Sequence, residues 1–342
     1  MRVAVAGATG AVGREIVRTL EERGFPLDEL VPLASSRSAG TGLRFRGEDI
    51  PVRLLEDRSF QGIDLALFSA GASTSRTHAP RAVAAGCMVV DTSSAFRMDP
   101  EVPLVIPEIN GEIIRGYRGM VANPNCTAIT ALMAVAPLHR AAGLRSMVIS
   151  SYQSVSGAGE RGVRELMEQV DKLRGQEDDL RRPDDPGGLP SGEVFGRTIA
   201  YNVVPRAGGY EDDGSTSEER KLVEESRKIL GLPELRVAAT VVRVPVMVGH
   251  SVAILAQFDR QIAPGEARGA LAGAAGVRVF DDPSTDVFPT PLDAAGSDEV
   301  LVGRIRRAYL DRADALLLWA VGDNLRKGAA LNAVQIAELL AG

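Results

Sequence analysis

The chain has 342 residues, 45% of them hydrophobic and 25% charged, and a formal net charge of −6. These are ordinary values for a globular protein, and the length exceeds a single hydrophobic core, which predicts two domains. The acidic, well-mixed charge argues against a nucleic-acid partner, and the apolar runs are too short to predict a membrane span. Two cysteines build no disulfide framework and indicate a reducing, cytoplasmic location, and we expect no signal peptide at residues 1–6.

The first half of the chain alternates short apolar runs with helical stretches. Strands are predicted at 2–7, 29–35, 62–71, 87–94 and the start of 119–125, and helices at 14–24 and 78–86. Strand–helix alternation is typical of parallel βαβ units. The first half is therefore predicted to be α/β, with a Rossmann-type doubly wound parallel sheet.

The second half has long β-rich segments with fewer helices between them. These segments are 146–157, 197–205, 235–258 and 300–309. The pattern predicts an α+β domain with a large mixed sheet, mostly antiparallel, whose outer face could carry a partner subunit.

Three further segments complete this organisation. Residues 174–193 are charged, rich in Pro and Gly and without periodicity, which predicts an exposed loop. The Arg-rich stretch 304–312 is read as a strand with one solvated face. The last thirty residues predict a strand followed by a helix, which could pack back on the first domain.

The stretch "AVAGATGAVGREIV" places Gly7, Gly10 and Gly13 at the turn between the first strand and the first helix. Glycines there allow a tight turn, a close approach to a pyrophosphate and close packing of helix on strand. The free N–H groups of the helix N-terminus would face the phosphates. Glycine is common in any tight turn between a strand and a helix, so the spacing alone is weak evidence for a dinucleotide site. The strand before it and the helix after it strengthen that evidence.

The turn after the second strand, "ASSRSAG", carries no acid for the ribose hydroxyls of NAD. Ser36, Arg37 and Ser38 could instead bind a 2′-phosphate, which favours NADP over NAD. The alternative is an ordinary solvated turn.

Cys126 follows Asn-Pro-Asn and precedes an apolar helical stretch. At a helix start, free N–H groups and the helix dipole favour a thiolate, and Asn125 is a plausible cap or oxyanion donor. Free cysteines are also often buried and inert, so position alone leaves both interpretations open. For Cys87, which begins an apolar strand, the buried interpretation is preferred.

A thiolate beside a nicotinamide cofactor suggests attack on an activated acyl carbon, formation of a thioester and its reduction to an aldehyde. Such chemistry calls for a general base. His250 follows Pro245 and Gly249, which interrupt a long β segment, and it is preceded by Arg243. The other histidines, His78 and His139, are read as structural or exposed, and no metal site is predicted.

Together these pieces resemble the aspartate-β-semialdehyde dehydrogenase family over nearly the whole chain. The matching stretches, in order, are "VAGATGAVG", "SSRSAG", "LFSAG", "DTSSAFRM", "VIPEIN", "ANPNCT", "YQSVSGAG", "SEERK", "VAATVVRVPVMVGHS", "DDP", "VGRIR" and "WAVGDNLRKGAALNAVQIAE". The resemblance implies an NADP-dependent homodimer that interconverts L-4-aspartyl phosphate and L-aspartate 4-semialdehyde, a step toward lysine, threonine and methionine.

The resemblance also implies residue roles. Cys126 would be the acyl-thioester nucleophile and His250 the acid/base. Gln153 would orient the intermediate, and Asn125 would help hold the substrate or its phosphate. Arg243 would clamp the α-carboxylate, Arg97 and Lys221 would bind phosphate, and Glu218 would meet the ammonium group. For the cofactor, the resemblance points to Thr9, Gly10, Ala11, Val12, Arg37, Ser38, Ser156, Gly157 and Asn324, in addition to Gly7, Gly13 and Ser36 of the two turns described above.

The sequence supports the Glu218–Lys221 pair independently. Thr216 and Glu219 make a plausible capping box, so Glu218 and Lys221 would share one helix face. The alternative for this pair is an ordinary surface ion pair. The residue that meets the ammonium group could also be the neighbouring Glu219.

The resemblance divides the chain into an NADP-binding domain, 1–126 completed by about 323–342, and a catalytic and dimerisation domain, 127–322. Two other functions remain open: a related acyl-phosphate reductase, such as the N-acetyl-γ-glutamyl-phosphate enzyme, and a non-catalytic dinucleotide-binding protein. The stretches "RVPV…GH" and "EERK" argue against the related reductase. The presence of Cys126, Gln153, Arg243 and His250 together argues against a non-catalytic protein.

Overall fold

The structure, a computed structural model, describes residues 1–176, 180–181, 189–308 and 315–342. Within these ranges the strands form two six-stranded sheets and one small hairpin. The first sheet and the hairpin contain β1 (Arg2–Ala6), β2 (Glu29–Ala34), β3 (Gly42–Phe45), β4 (Glu48–Pro51), β5 (Arg53–Leu54), β6 (Leu65–Phe68), β7 (Met88–Asp91) and β8 (Met120–Ala122). The second sheet contains β9 (Leu144–Gln153), β10 (Arg236–Arg243), β11 (His250–Phe258), β12 (Val277–Val279), β13 (Val300–Arg307) and β14 (Ala315–Gly322).

The helices of the described residues surround these sheets. They are α1 (Ala11–Glu22), α2 (Ala72–Ala84), α3 (Pro107–Asn110), α4 (Cys126–Ala142), α5 (Glu160–Leu173), α6 (Ser217–Leu230), α7 (Pro264–Ala272), α8 (Pro291–Ala294) and α9 (Leu331–Ala341), with 3-10 turns at Gly111–Ile114 and Val155–Ala158 and a π-helical turn at Arg326–Ala330. Across the described ranges, every helix is too short or too polar to cross a lipid bilayer.

The first sheet has the order β5-β2-β1-β6-β7-β8, and its described pairings are all parallel. Its strands are apolar on both faces because helices cover both sides. Val3 and Val5 of β1 pack in one core with α1 and α9, whereas Ala4 and Ala6 belong to the core that contains α2. This arrangement confirms the predicted Rossmann-type doubly wound sheet.

The direction of strand addition reverses between β1 and β6, and ligands of such sheets bind where this reversal opens a crevice. Gly7, after β1, has a φ of 87°, and a Cβ there would lie 2.8 Å from the backbone of Ser69 after β6. A Cβ on Gly13 would lie 2.0 Å from the carbonyl oxygen of Gly7. These two positions therefore require glycine, for the close contact between loops and for the packing of α1.

The second sheet has the order β10-β9-β11-β14-β13-β12, with three antiparallel and two parallel pairings. The predicted large mixed sheet is confirmed. Helices α4, α6 and α7 pack against it. Val148 and Tyr152 of β9 remain 47% and 36% exposed.

After β14 the chain returns to the first sheet, and two buried cations lie at this return. Arg326 pairs with Glu15 and Glu22 of α1. The fully buried Lys327 donates from Nζ to the two carboxylate oxygens of Glu108 at 2.9 and 2.7 Å. Burial lowers the pKa of Lys327, and a buried cation is tolerated only where its donors are satisfied. These pairs hold α9 against the first sheet.

The predicted strand at 197–205 is wrong, because the structure has there only an isolated bridge between Val204 and Arg243. The Oε1 atom of Gln169, on α5, accepts from the backbone N–H groups of Ile199 and Ala200, at 2.7 and 3.1 Å. A side chain thus satisfies donors that a strand partner would have used, and the apolar residues pack on α5 instead.

Other differences are smaller. Helix α2 begins at Ala72 rather than at residue 78, and the β3–β4 hairpin was not predicted. Residues 177–179 and 182–188 of the predicted loop 174–193, and the end of the predicted strand 300–309, lie outside the described residues.

Candidate active site

Four neighbouring strands of the second sheet bring polar residues to one edge. Gln153 ends β9 and Arg243 ends β10, and the two residues pair in register. His250 begins β11, antiparallel to both β9 and β14, and Asn324 follows the end of β14. Residues far apart in sequence therefore lie together because adjacent strands end or begin at this edge.

This edge faces the crevice of the first sheet across a cavity of about 590 Å³. The predicted site residues that line the cavity are Gly10, Ala11, Val12, Arg97, Asn125, Cys126, Gln153, Ser156, Gly157, Glu218, Lys221, Arg243, His250 and Asn324. The cavity thus joins all the predicted catalytic and substrate residues to part of the glycine loop.

Cys126 begins α4 directly after the turn that follows β8. Asn125 is the helix N-cap, and its Oδ1 atom accepts from the backbone N–H groups of Thr127 and Ala128 at 2.9 and 3.3 Å. Gln153 donates from Nε2 to Thr127 Oγ1 at 2.9 Å. The helix start is therefore fixed to the second sheet as well as to the first.

Helix α6 presents Glu218 to the same turn. Glu218 accepts from Asn125 Nδ2 at 2.8 Å and pairs with Lys221, one helical turn away. Glu219 is used differently, since it closes the predicted capping box with Thr216. The two neighbouring acids thus have separate positions, with Glu218 at the cavity and Glu219 at the helix start.

Arg97 is buried beside this turn and is held by three acceptors. It donates to the carbonyl oxygens of Asn123 and Thr92 at 2.9 and 2.8 Å, and to the carboxylate of Glu225 at 3.0 Å. Glu225, also on α6, accepts with its other oxygen from the backbone N–H of Asn125 at 2.6 Å. Although burial and Glu218 raise the pKa of Glu225, the Arg97 guanidinium and the Asn125 N–H oppose that rise.

The predicted helix start at Cys126 is confirmed, and the assembled structure adds groups that act on the thiol in both directions. Burial raises the pKa of the Cys126 thiol, and the charge of Glu218 raises it further. The Arg243 and Arg97 guanidinium groups act in the opposite direction but do not outweigh burial. A ligand cation that neutralises Glu218 would favour the thiolate.

His250 is fully buried, and its ring orientation follows from its hydrogen bonds. The backbone N–H of Ser154 donates to His250 Nδ1 at 3.1 Å, so the proton of the neutral ring lies on Nε2. Among the described residues, Nε2 has no hydrogen-bond partner. Burial, together with the charge of Arg243, lowers the pKa of His250 well below its ordinary value. The ring is therefore a neutral donor directed at the cavity.

Arg243 is oriented by its surroundings. Its Nη1 donates to the carbonyl oxygen of Ser154 at 2.7 Å, and its guanidinium lies 6.0 Å from the ring centre of Phe195. A Cβ at Gly157 would lie 2.7 Å from Nη1 and 3.1 Å from His250 Nε2. Glycine at this position keeps the cavity open beside both groups, and a guanidinium fork suits a carboxylate.

The glycine loop fits a dinucleotide pyrophosphate. Gly10 is the N-cap of α1, has no side-chain cap and lines the cavity with Ala11 and Val12, so free N–H groups of the first turn lie at the cavity. Gly7 and Gly13 do not line the cavity, but they allow the tight turn and the close packing of α1.

The predicted 2′-phosphate residues lie in the turn after β2. Ser36 and Arg37 are exposed there, and Ser38 and Thr9 line a neighbouring cavity of about 700 Å³ rather than the main one. Within the described ranges, no group of three or more His, Cys, Asp or Glu side chains is placed to hold a metal ion.

Comparison with known proteins agrees with this geometry. Residues 2–117 match the family model "Semialdehyde dehydrogenase, NAD binding domain", and residues 135–327 match "Semialdehyde dehydrogenase, dimerisation domain". The chain is 46% identical to the aspartate-semialdehyde dehydrogenase of Aquifex aeolicus, covering 99% of this chain and 97% of that protein. It is 48% identical to that of Mycolicibacterium smegmatis, covering 100% and 99%.

The chain belongs to the aspartate-semialdehyde dehydrogenase family.

A solved structure of this family, aspartate semialdehyde dehydrogenase II from Vibrio cholerae complexed with ASA, superposes with a TM-score of 0.92 at 42% identity. The superposition covers 99% of this chain and 98% of that one.

Sequence reasoning missed several residues of this aspartate-semialdehyde dehydrogenase site. Glu225 could have been found, because it lies seven residues after Glu218 and helical periodicity places both on one face. Ser154, which orients His250, and Gly328, where a Cβ would lie 2.9 Å from Cys126 Cβ, had no comparable signal. Their positions depend on contacts between distant segments.

The electrostatics of Cys126 predict the effect of Glu218→Gln on thiol reactivity. Removing this carboxylate removes a charge that raises the thiol pKa, so the pH profile of Cys126 alkylation in the ligand-free protein should move to lower pH. Iodoacetamide labelling followed by peptide mapping measures this profile. Cys87, buried and with its pKa raised to about 11, is the internal reference. An unchanged profile, or one moved to higher pH, would contradict the assigned role of Glu218.

Proposed function

We propose that this chain catalyses the reversible conversion of L-4-aspartyl phosphate to L-aspartate 4-semialdehyde and phosphate with NADP(H). The observation that carries the proposal is the single cavity shared by Cys126 at a helix start, an uncapped glycine-loop helix and a set of fixed cations. The names of the curated relatives, and the Vibrio cholerae complex with ASA, support the same substrate.

Charge complementarity assigns the groups of the substrate. Arg243 would bind the α-carboxylate through its free guanidinium edge, and Glu218 would pair with the ammonium group. Arg97 and Lys221, which line the same cavity, would bind the phosphate. This placement presents the acyl carbon to Cys126.

Cys126 would carry the covalent step. The thiol would give up its proton, the sulfur would attack the acyl carbon and form a C–S bond, and the bond from carbon to the phosphate oxygen would break, so that phosphate leaves and carries the thiol proton. Pairing of Glu218 with the substrate ammonium removes one charge that disfavours this thiolate. Asn125 and Gln153 fix the helix start and so hold the sulfur in place.

NADP(H) fits the crevice at the glycine loop, and when bound its nicotinamide supplies or accepts the hydride. Gly10, Ala11 and Val12 would hold the pyrophosphate, and Ser156, Gly157 and Asn324 would meet the nicotinamide half. Thr9, Ser36, Arg37 and Ser38 would bind the adenosine 2′-phosphate, because that turn carries no acid for free ribose hydroxyls.

His250 would act as a hydrogen-bond donor. The tetrahedral oxyanion that forms on Cys126 would collapse by expelling phosphate or thiolate in the reductive direction, and by giving up a hydride in the oxidative direction. A neutral ring with hydrogen on Nε2 stabilises this oxyanion in both reaction directions. We propose this role in place of the acid/base role that the family resemblance implies.

We also propose that two copies form a homodimer through the outer face of the second sheet. Tyr152 and Trp319 lie 5.3 Å apart between ring centres on this face. An apolar groove of about 390 Å³ beside them is lined by Phe288, Pro291 and Leu317. An apolar face of this kind is typical of an interface, and the matched dimerisation domain supports the assignment. The division into 1–126 with 323–342, and 127–322, remains part of this proposal.

The direct test of the function is the reduction of NADP with aspartate semialdehyde and phosphate, followed by absorbance. Turnover should require phosphate, exceed turnover with NAD and disappear in Cys126→Ala while NADP binding is retained. N-acetylglutamate semialdehyde should react with a kcat/KM at least about tenfold lower, because its neutral amide cannot replace the ammonium group that pairs with Glu218. Equal or greater activity on the acetylated compound would favour the related reductase instead.

The donor role of His250 predicts a specific pH behaviour. His250→Asn should lower kcat by about 10²–10³-fold with little change in KM, as expected for loss of one oxyanion donor. Its pH–rate profile should keep the shape of the wild-type profile, since the histidine does not titrate in the working range. His78→Asn, on α2, is the control and should retain wild-type kcat. If His250→Asn removes a limb of the profile, the ring acts as an acid or base.

A further inference from the structure

Helix α6 carries a third charged residue on the face that meets the active site. Glu225 lies one helical turn after Lys221 and two turns after Glu218, and it is 1% exposed. Glu218 and Lys221 line the cavity, whereas Glu225 lies behind it, and none of the proposed substrate contacts uses it. Burying a carboxylate is costly, so this position calls for an explanation in terms of its partners.

The two oxygens of Glu225 have different partners. One accepts from Nη1 of Arg97 at 3.0 Å, and the other accepts from the backbone N–H of Asn125 at 2.6 Å. The first partner is the cation proposed for the phosphate, and the second is the residue before the nucleophile. One carboxylate therefore connects the phosphate site to the turn that presents Cys126.

The remaining contacts of both partners show what Glu225 determines. The other two bonds of Arg97 are to neutral carbonyl oxygens, of Thr92 and Asn123, so among the described residues Glu225 is its charged anchor. Asn125 is held from the opposite side by Glu218, through its side chain. Helix α6 thus fixes Asn125 at two points, seven residues apart.

We propose that Glu225 is a positioning residue for this reaction. It orients Arg97 toward the phosphate and fixes the backbone of Asn125, so that phosphate binding and alignment of the Cys126 sulfur depend on the same carboxylate. This inference rests on the function proposed above and assigns Glu225 no direct contact with substrate.

Glu225→Gln is the sharpest test, because the two side chains have the same shape. Both partners of Glu225 are donors, whereas an amide has a single acceptor oxygen, so one of the two bonds must be lost. The NH₂ group would then face either the Arg97 guanidinium or the Asn125 N–H. We expect the KM for phosphate to rise by about tenfold and kcat to fall by a similar factor. The KM values for NADP and aspartate semialdehyde should stay within about twofold, because their proposed partners do not touch Glu225.

Two further variants separate positioning from stability. Glu224→Gln makes the same change at the next position of α6, in a surface cleft with Arg220 and Arg227, and should leave all constants unchanged. Glu225→Asp keeps two acceptor oxygens and should recover part of the phosphate KM. The thermal unfolding temperature of each variant shows whether a loss of activity is caused by unfolding of the protein. A variant that unfolds below the assay temperature is assayed at a lower temperature.

The outcomes are distinct. If Glu225 served only to neutralise Arg97, its replacement by Gln would relieve repulsion of the phosphate and lower the phosphate KM. An unchanged or lowered phosphate KM in an active Glu225→Gln variant therefore overturns the inference. So does an equal rise in all three KM values. Absence of phosphate-dependent activity in the wild type would instead refute the function itself.

Discussion

Charged groups buried between the two sheets must each have a partner, and this requirement shapes the turn that presents Cys126. Asn125 makes four hydrogen bonds through its backbone N–H and its side chain, two of them to carboxylates of one helix. Since α6 packs on the second sheet and β8 belongs to the first, these bonds also cross the seam between the sheets. The nucleophile is thus fixed by the pairing of buried charges in addition to the local N-cap.

The same pairing leaves particular groups ready for a ligand. Among the described residues, His250 Nε2 has no hydrogen-bond partner and Arg243 donates from Nη1 alone, while burial and Glu218 raise the pKa of the Cys126 thiol. The two buried donors are a cost, because a buried polar group without a full set of partners is destabilising. A substrate with a carboxylate, an ammonium group and a phosphate would relieve several of these costs at once, so substrate binding itself would prepare the site for reaction.

The sequence predicts the strongly periodic and local parts of this protein well. Strand–helix alternation predicts the first sheet, and the capping box of α6 follows from Thr216 and Glu219 alone. Local patterns cannot show that Gln169 satisfies the backbone at 199–200, so that segment is wrongly predicted as a strand. For the same reason the sequence leaves the state of the Cys126 thiol open: the helix start is visible in the sequence, but the desolvation of the sulfur and its approach to Glu218 depend on the assembled fold. Glu225 can be predicted only in part: the sequence shows which helix face it lies on, but not which residues it binds.

Covalent bond formation at Cys126 is the step on which the proposed function depends most. The most direct measurement is to mix the protein with L-4-aspartyl phosphate in the absence of any nicotinamide cofactor and to follow phosphate release and protein mass together. The account predicts about one phosphate released per active site and one aspartyl group, bound as a hydroxylamine-sensitive thioester, on the peptide that contains Cys126. Phosphate release without an adduct, or an adduct on another residue, would contradict it.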